Sequence, residues 1–167
     1  MNNDMTVVVG GSVLNLRVGA IITRGDQVLM VRNEREDYYY SVGGRIQVGE
    51  TSEQAVLREV TEELGVPLEI DRLGFIHENY FYGTLGDQIE RQIYEVCFFY
   101  YMKVPDGFEP RCRSFNENGV SETLEWLPFD TGKTIYPSFF KTELARPFEG
   151  IRHIVTDERS VDKKYSS

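Results

Sequence analysis

The chain has 167 residues, 41% hydrophobic and 13% aromatic, with Gly 15 and Pro 6. This excludes a disordered, collagen-like or linker-dominated chain and fits a single domain, expected over 1–167. Lys+Arg number 18 against Asp+Glu 27, a formal charge of −9, so a phosphate backbone is repelled and no nucleic-acid partner is expected.

Leu14–Ile22 and Gln27–Val31 read as strands flanking the polar turn Thr23-Arg24-Gly25-Asp26, a hairpin signal. Tyr38–Val42 reads as a strand ending in Gly43-Gly44, where the backbone is free to approach a ligand. A helix is predicted over Ser52–Leu64, with Thr51 as cap, Gln54 completing a capping box, and Gly65 followed by Val66-Pro67 as the stop. Leu68–Phe81 and Gln88–Val104 are β-branched and aromatic enough for strands, joined through Gly83–Asp87. Residues 105–120 read as loop and Thr123–Leu127 as a short strand stopped by Pro128. A second helix over Pro137–Ala145 with Pro at its first position, a last strand over Ile151–Val155 and a polar tail from Asp157 complete the chain. Strands before, between and after two helices indicate a mixed α/β or α+β domain.

Cys97 and Cys112 make neither a disulfide framework nor a metal-ligand spacing, so reduced thiols are expected. The start, Met1-Asn2-Asn3-Asp4, lacks a basic n-region. The longest apolar run, Val96–Met102, is far short of the roughly 20 residues of a membrane span. A cytoplasmic chain without a membrane partner is the expectation.

At about 100° per residue, Val56, Leu57, Val60 and Leu64 fall on one arc of the predicted helix, and Arg58, Glu59, Glu62 and Glu63 on the opposite one. Three glutamates at i, i+3 and i+4 repel by a few tenths of a kcal/mol per pair, with only Arg58 to compensate. A solvated charged face is the ordinary fate of such residues. Divalent cations explain the crowding better, because hard oxygen ligands suit Mg²⁺ or Mn²⁺.

The segment from Gly44 through Glu50, Arg58, Glu59, Val60, Glu62, Glu63 and Gly65 to Val66 resembles the Nudix box: G, five residues, E, seven residues, R-E, an aliphatic, any, E-E, any, G, an aliphatic. All nine specified positions match. Seven fixed identities at roughly 7% each arise by chance about once in 10⁸ windows, so coincidence does not account for them. The box covers 23 of the 167 residues, and Trp126-Leu127-Pro128 stands where family members often carry a Trp-aliphatic-Pro segment.

The resemblance implies an α/β (α+β) fold, an α/β/α sandwich around a mixed sheet. It also implies Mg²⁺- or Mn²⁺-dependent hydrolysis of a nucleoside diphosphate linked to another moiety. By position, Glu59 and Glu63 would be the principal metal ligands, Glu62 a direct or water-mediated ligand, and the Gly44 carbonyl a further one. Arg58 would hold Glu50 and fix the loop against the helix. The family's general base is less uniform, being a box glutamate or a later carboxylate. Of Glu117, Glu122 and Glu125, Glu122 is the choice, because a loop containing Gly119 could bring it over the metal centre. Tyr40 and Tyr82 are weak candidates for stacking a base and Arg32 and Arg91 for phosphate contacts, with Arg17 beside them. The partner implied is a small nucleoside diphosphate derivative. A homodimer is compatible with the aromatic content but not demanded by it. The alternative, a nucleotide-sensing module that binds without hydrolysing, usually goes with a damaged box, and this box is intact.

Overall fold

A computed structural model describes residues 2–83, 90–111, 114–115 and 121–162. Expectations that fall on residues 84–89, Cys112, Glu117 and Gly119 lie outside the described residues. The first half of the chain supplies β1 (Thr6–Val9), β2 (Ser12–Ile21), β3 (Thr23–Arg24), β4 (Gln27–Asn33), β5 (Tyr38–Arg45) and α1 (Ser52–Leu64). Then come β6 (Glu69–Tyr82), β7 (Gln92–Lys103), β8 (Ser114–Phe115) and β9 (Ser121–Pro128). β10 (Thr134–Tyr136), α2 (Phe140–Glu143), β11 (Arg152–Asp157) and α3 (Arg159–Asp162) follow.

The strands form one mixed sheet in the order β11-β6-β7-β2-β5-β4-β9-β8, with β1 beside β2, β10 beside β5 and β3 beside β4. The β11/β6, β2/β7 and β10/β5 pairs are parallel. Period-two alternation sends successive side chains to opposite faces. Val18, Ala20, Ile22, Leu29 and Val31 join Ala55, Val56, Val60 and Leu64 of α1 in one core. Ile21, Val28 and Met30 join Phe75, Phe99, Phe139 and Phe140 in the other. Helices thus cover both faces, the second layer being the short α2. This is the α+β class with a mixed central sheet.

The local chemistry of α1 accounts for its bounds. Gln54 N donates to Thr51 Oγ1 at 3.2 Å and Thr51 N to Gln54 Oε1 at 2.9 Å, while Gly65 ends the helix at φ 69° with its N–H on the Thr61 carbonyl. The expected core arc needs correction: Leu57 is 38% exposed, and Ala55 takes its place in the core. On the helix wheel Glu59 and Glu63 fall between Ala55 and Val56, on the inward side rather than on the outer face.

Several other expectations shift. The hairpin partner of β4 is the two-residue β3, not β2, which lies between β7 and β5. Buried on both faces from Val18 to Ile21, β2 behaves as a central strand. β5 runs through Gly43-Gly44 to Arg45 instead of ending before them. β8 occupies part of the expected loop, and β9 begins at Ser121, two residues before the expected start. The second helix shrinks to Phe140–Glu143, with Pro137 outside it. The chain beyond Val155 stays in β11 to Asp157 and then forms α3. β1 and β10 escaped the sequence reading: β1 is a valine run with most of its side chains exposed, and β10 is only three residues long.

Candidate active site

The site is built where α1 crosses β5. Val42, Gly44 and Ile46 face the helix, and a Cβ added to Gly44 would stand 2.4 Å from Glu59 Cδ and Oε1 and 2.7 Å from Oε2. Glycine therefore leaves the room in which the Glu59 carboxylate sits. Its neighbour Gly43 has φ 151°, and a Cβ there would meet the Val18 carbonyl at 2.2 Å, so only glycine suits this backbone. From that position Gly43 N donates to Glu63 Oε1 at 3.1 Å.

Arg58 ties the entry loop to the helix. Its Nε and Nη2 donate to the two oxygens of Glu50 at 2.6 and 3.0 Å, a bidentate pair. Nη2 also reaches the Arg45 carbonyl at 3.1 Å, and Nη1 reaches Glu59 Oε1 at 2.7 Å and Glu62 Oε2 at 3.4 Å. The Arg58 bonds hold Glu50 below the usual carboxylate range. Burial pushes Glu59 up against the opposing pull of Arg58. Glu63 is pushed well up, first by burial and then by the charges of Glu59 and Glu122, although the Gly43 N–H favours its ionised form.

Glu63 Oε2 is buried and finds no hydrogen-bond partner among the described residues. Removing a carboxylate from water costs several kcal/mol after relaxation. Each fully buried Val or Leu of α1 contributes about 1.5–3 kcal/mol, so packing of Val56, Val60 and Leu64 can hold the two carboxylates in place without relieving their charge. Among the described residues no three His, Cys, Asp or Glu side chains already form a ligand cluster; Arg58 occupies Glu59 Oε1. The donor set still fits a hard divalent cation: it offers carboxylate oxygens, one of them an orphan among the described residues, beside the Gly44 backbone.

Glu62 is peripheral, with 60% of its side chain exposed against 15% for Glu59. Glu122 lies on strand β9 rather than in a loop, and Tyr40 Oη donates to its Oε1 at 2.5 Å. The Tyr40 hydroxyl is thereby engaged, while the expected stacking of a base concerns its ring face. Glu125 faces the opposite side of the sheet, where Tyr39 Oη and Lys133 Nζ donate to it at 2.7 and 2.8 Å.

Tyr82, Arg91 and Arg32 are not brought to the carboxylates. Gly44 is in register with Val18, Phe98 and Ile76. Tyr82 lies six residues further along β6, about 20 Å at about 3.3 Å per residue. It lines a separate cleft of about 610 Å³ with Asp157, Arg159 and Ser160. Arg91 belongs to the same end, its carbonyl accepting from Gly83 N. Arg32 alternates with Val31 onto the other face, over the Tyr39 ring at 5.9 Å. Arg17 turns the same way and pairs with Glu95 at 3.8 Å. The sequence reading missed the Gly43 N–H as a donor and the Tyr40–Glu122 bond; the double glycine signalled the first, and nothing local signals the second.

A family model described as NUDIX domain matches residues 13–142. Over 58 residues the chain is 43% identical to the NAD-capped RNA hydrolase NudC of Pseudomonas aeruginosa, a stretch covering 34% of this chain and 20% of that protein. The chain spans about a fifth of the length of the curated relatives it matches. Among solved structures, a MutT protein from Bacillus halodurans shares the fold at TM-score 0.58 and 21% identity, covering 83% of this chain and 89% of that one. An ADP-ribose pyrophosphatase from Streptococcus suis does so at TM-score 0.56 and 18% identity, covering 85% and 98%.

Proposed function

The chain belongs to the Nudix family of hydrolases, and from that premise we propose that it hydrolyses a phosphoanhydride bond in a nucleoside diphosphate linked to another moiety, with Mg²⁺ or Mn²⁺ as cofactor. The observation that carries this reading is the pair Glu59 and Glu63, one helical turn apart, both drawn out of water against Gly43-Gly44, with one carboxylate oxygen left without a partner among the described residues. A buried anion without a partner is costly by itself and useful where a cation is to be held.

Glu59 and Glu63 would hold the cation, with Glu62 and the Gly44 carbonyl completing the oxygen set. When bound, the ion supplies positive charge at the substrate phosphates and makes water a better nucleophile there. Arg58 fixes Glu50 and the loop that carries Arg45, so the Gly44 backbone and the Glu59 carboxylate keep their relative position. Glu122 accepts the proton as water attacks phosphorus, one P–O bond forming as the bridging P–O bond breaks and the leaving phosphate departs. The clustered carboxylates of the site repel a bare pyrophosphate, so the substrate phosphates meet them through cations.

A panel of nucleoside triphosphates, dinucleoside polyphosphates, ADP-ribose, nucleotide sugars, NAD and a NAD-capped oligonucleotide, with products weighed after reaction in ¹⁸O-water, tests the reading. One class should be cleaved in Mg²⁺ or Mn²⁺ and none in chelator. Glu59→Gln and Glu63→Gln should each lose turnover by orders of magnitude. Turnover unchanged in both variants, or tight binding of a nucleotide with no product, overturns it.

A further inference from the structure

A polar row crosses five strands on one face of the sheet. Thr6 of β1 is opposite Asn15 of β2, and Asn15 is opposite Glu95 of β7. Glu95 is opposite Asn79 of β6, and Asn79 is opposite Thr156 of β11. Alternation from Ile21, Phe99 and Phe75 puts the row on the α2 face. The outer members pin the inner ones: Thr6 Oγ1 donates to Asn15 Oδ1 at 2.9 Å, and Thr156 Oγ1 to Asn79 Oδ1 at 2.7 Å. The oxygen and nitrogen of an amide diverge from one carbon, so with both oxygens drawn outward both NH₂ groups turn inward, toward Glu95. They are not used there. Among the described residues neither amide nitrogen makes a hydrogen bond, Glu95 accepts none, and its charge partner Arg17 stands off at 3.8 Å. Yet Asn15 is 2% exposed and the Glu95 side chain 19%. Buried polar groups are ordinarily satisfied, so a covered donor–acceptor–donor row with no bonds of its own points to a ligand with the complementary edge.

We propose that Asn15, Glu95 and Asn79 read the base of the nucleotide: Glu95 accepts from an N–H on the base edge, and the two amides donate to acceptors on either side of it. The edges that fit are the adenine amino group between N1 and N7, and uracil N3–H between O2 and O4. Guanine fits through N1–H and its amino group, between O6 and N3. Cytosine has an acceptor on only one side of its amino group and does not fit. The outer two of the three strands are about 9.6 Å apart, room for one base edge with a hydrogen bond at each end. This rests on the hydrolase reading above. Val18 is opposite Gly44, so the level of Gly44 is three residues from Asn15 along β2, about 10 Å. The row and α1 lie on opposite faces, but Gly43 N donates to Glu63 Oε1, which brings that carboxylate to the level of the β5 backbone, past the last β4 pairing at Ser41. Arg17 and Arg45 face each other on the side of the row, between it and Gly43. Arg45 Nε is buried without a hydrogen-bond partner among the described residues, a donor for the phosphates that join base to cleavage site.

The test is binding of AMP, GMP, UMP and CMP to the full chain in chelator, followed by NMR titration, which needs no turnover. One of AMP, GMP and UMP should bind tightest, about 10- to 100-fold better than CMP. Methylating the N–H of that ligand (N6,N6-dimethyl-AMP, 1-methyl-GMP or 3-methyl-UMP) should cost about tenfold in wild type. In Glu95→Gln the same methylation should cost less than about twofold, because the partner it removes is already gone. Asn79→Asp keeps an acceptor for Thr156 and replaces an inward donor by an acceptor. It should weaken the tightest ligand about tenfold while ribose 5-phosphate binds as in wild type, and it decides the matter if Glu95→Gln fails to fold. No binding by any of the four, CMP tightest, four equal affinities, the same methylation cost in both backgrounds, or wild-type affinity in Asn79→Asp would overturn the proposal. Cleavage of a diphosphate with no preference among bases overturns it alone and leaves the hydrolase reading standing. Selective binding with no cleavage of any diphosphate fails the hydrolase reading and upholds the base site.

Discussion

At Gly44 the difference between one hydrogen atom and a methyl group decides whether Glu59 keeps its place. Gly44→Ala puts a Cβ 2.4 Å from that carboxylate, and the strand backbone there tolerates alanine, so the fold should survive while Glu59 is pushed aside. Uptake of Mn²⁺ in calorimetry should weaken about 10- to 100-fold, the usual cost of disturbing a ligand's support, and turnover should fall with it. Glu63→Gln is expected to act differently. It abolishes turnover but removes a desolvated charge, so the melting temperature in chelator should not drop. The box glutamates were legible because their identities and spacing lie in one short segment. Their burial was not, because a wheel that groups residues by polarity puts acids outside. Only the structure shows Glu59 and Glu63 sharing the inward arc with Ala55 and Val56. Likewise the bond from Tyr40 to Glu122 depends on three strands being in register, and no local pattern encodes that.

Among the elements, α1 was legible to the residue because both its ends carry their own chemistry, a Thr51–Gln54 capping box and the Gly65 stop. Thr51→Ala should cost about 1 kcal/mol and lower the melting temperature by about 2–4 °C, with kcat per folded molecule unchanged, since the capping bonds run between Thr51 and Gln54. Elements without such punctuation were misread. α2 is a single turn whose Phe139 and Phe140 are held by the Phe75 and Phe99 rings rather than by helical propensity. β2 was paired with its sequence neighbour because a polar glycine turn suggests a hairpin. Tertiary burial on both faces instead places it between β5 and β7.

For the molecule as a whole, the alternation of apolar residues indicated a mixed α/β or α+β fold, whereas the closing of the sheet by parallel β11 is a long-range event. β11 is fastened to β6 partly by a polar chain: His77 Nε2 and Thr156 Oγ1 lie 2.8 Å apart, and Thr156 Oγ1 donates to Asn79 Oδ1 at 2.7 Å. Burial lowers the His77 pKa to about 4 from an ordinary 6.5. The unfolded chain therefore binds more protons between those values, and stability rises with pH across the window. This contribution is complete above about pH 6.5 and is lost as the pH falls toward 4; at about 1.4 kcal/mol per pKa unit it amounts to roughly 3 kcal/mol. Urea titrations from pH 7.5 to 4.5 should show a flatter slope in His77→Gln than in wild type; an identical slope would falsify the assignment. The strand order has a last consequence. β5 is flanked by β2, β4 and β10, so its amides should exchange with deuterium only when the whole molecule opens, while β9, next to the terminal two-residue β8, frays sooner. The residues proposed to hold the cation therefore lie against the slowest-opening part of the protein, and the proposed proton acceptor lies in a faster one. In rising denaturant, catalysis should disappear while Mn²⁺ uptake persists.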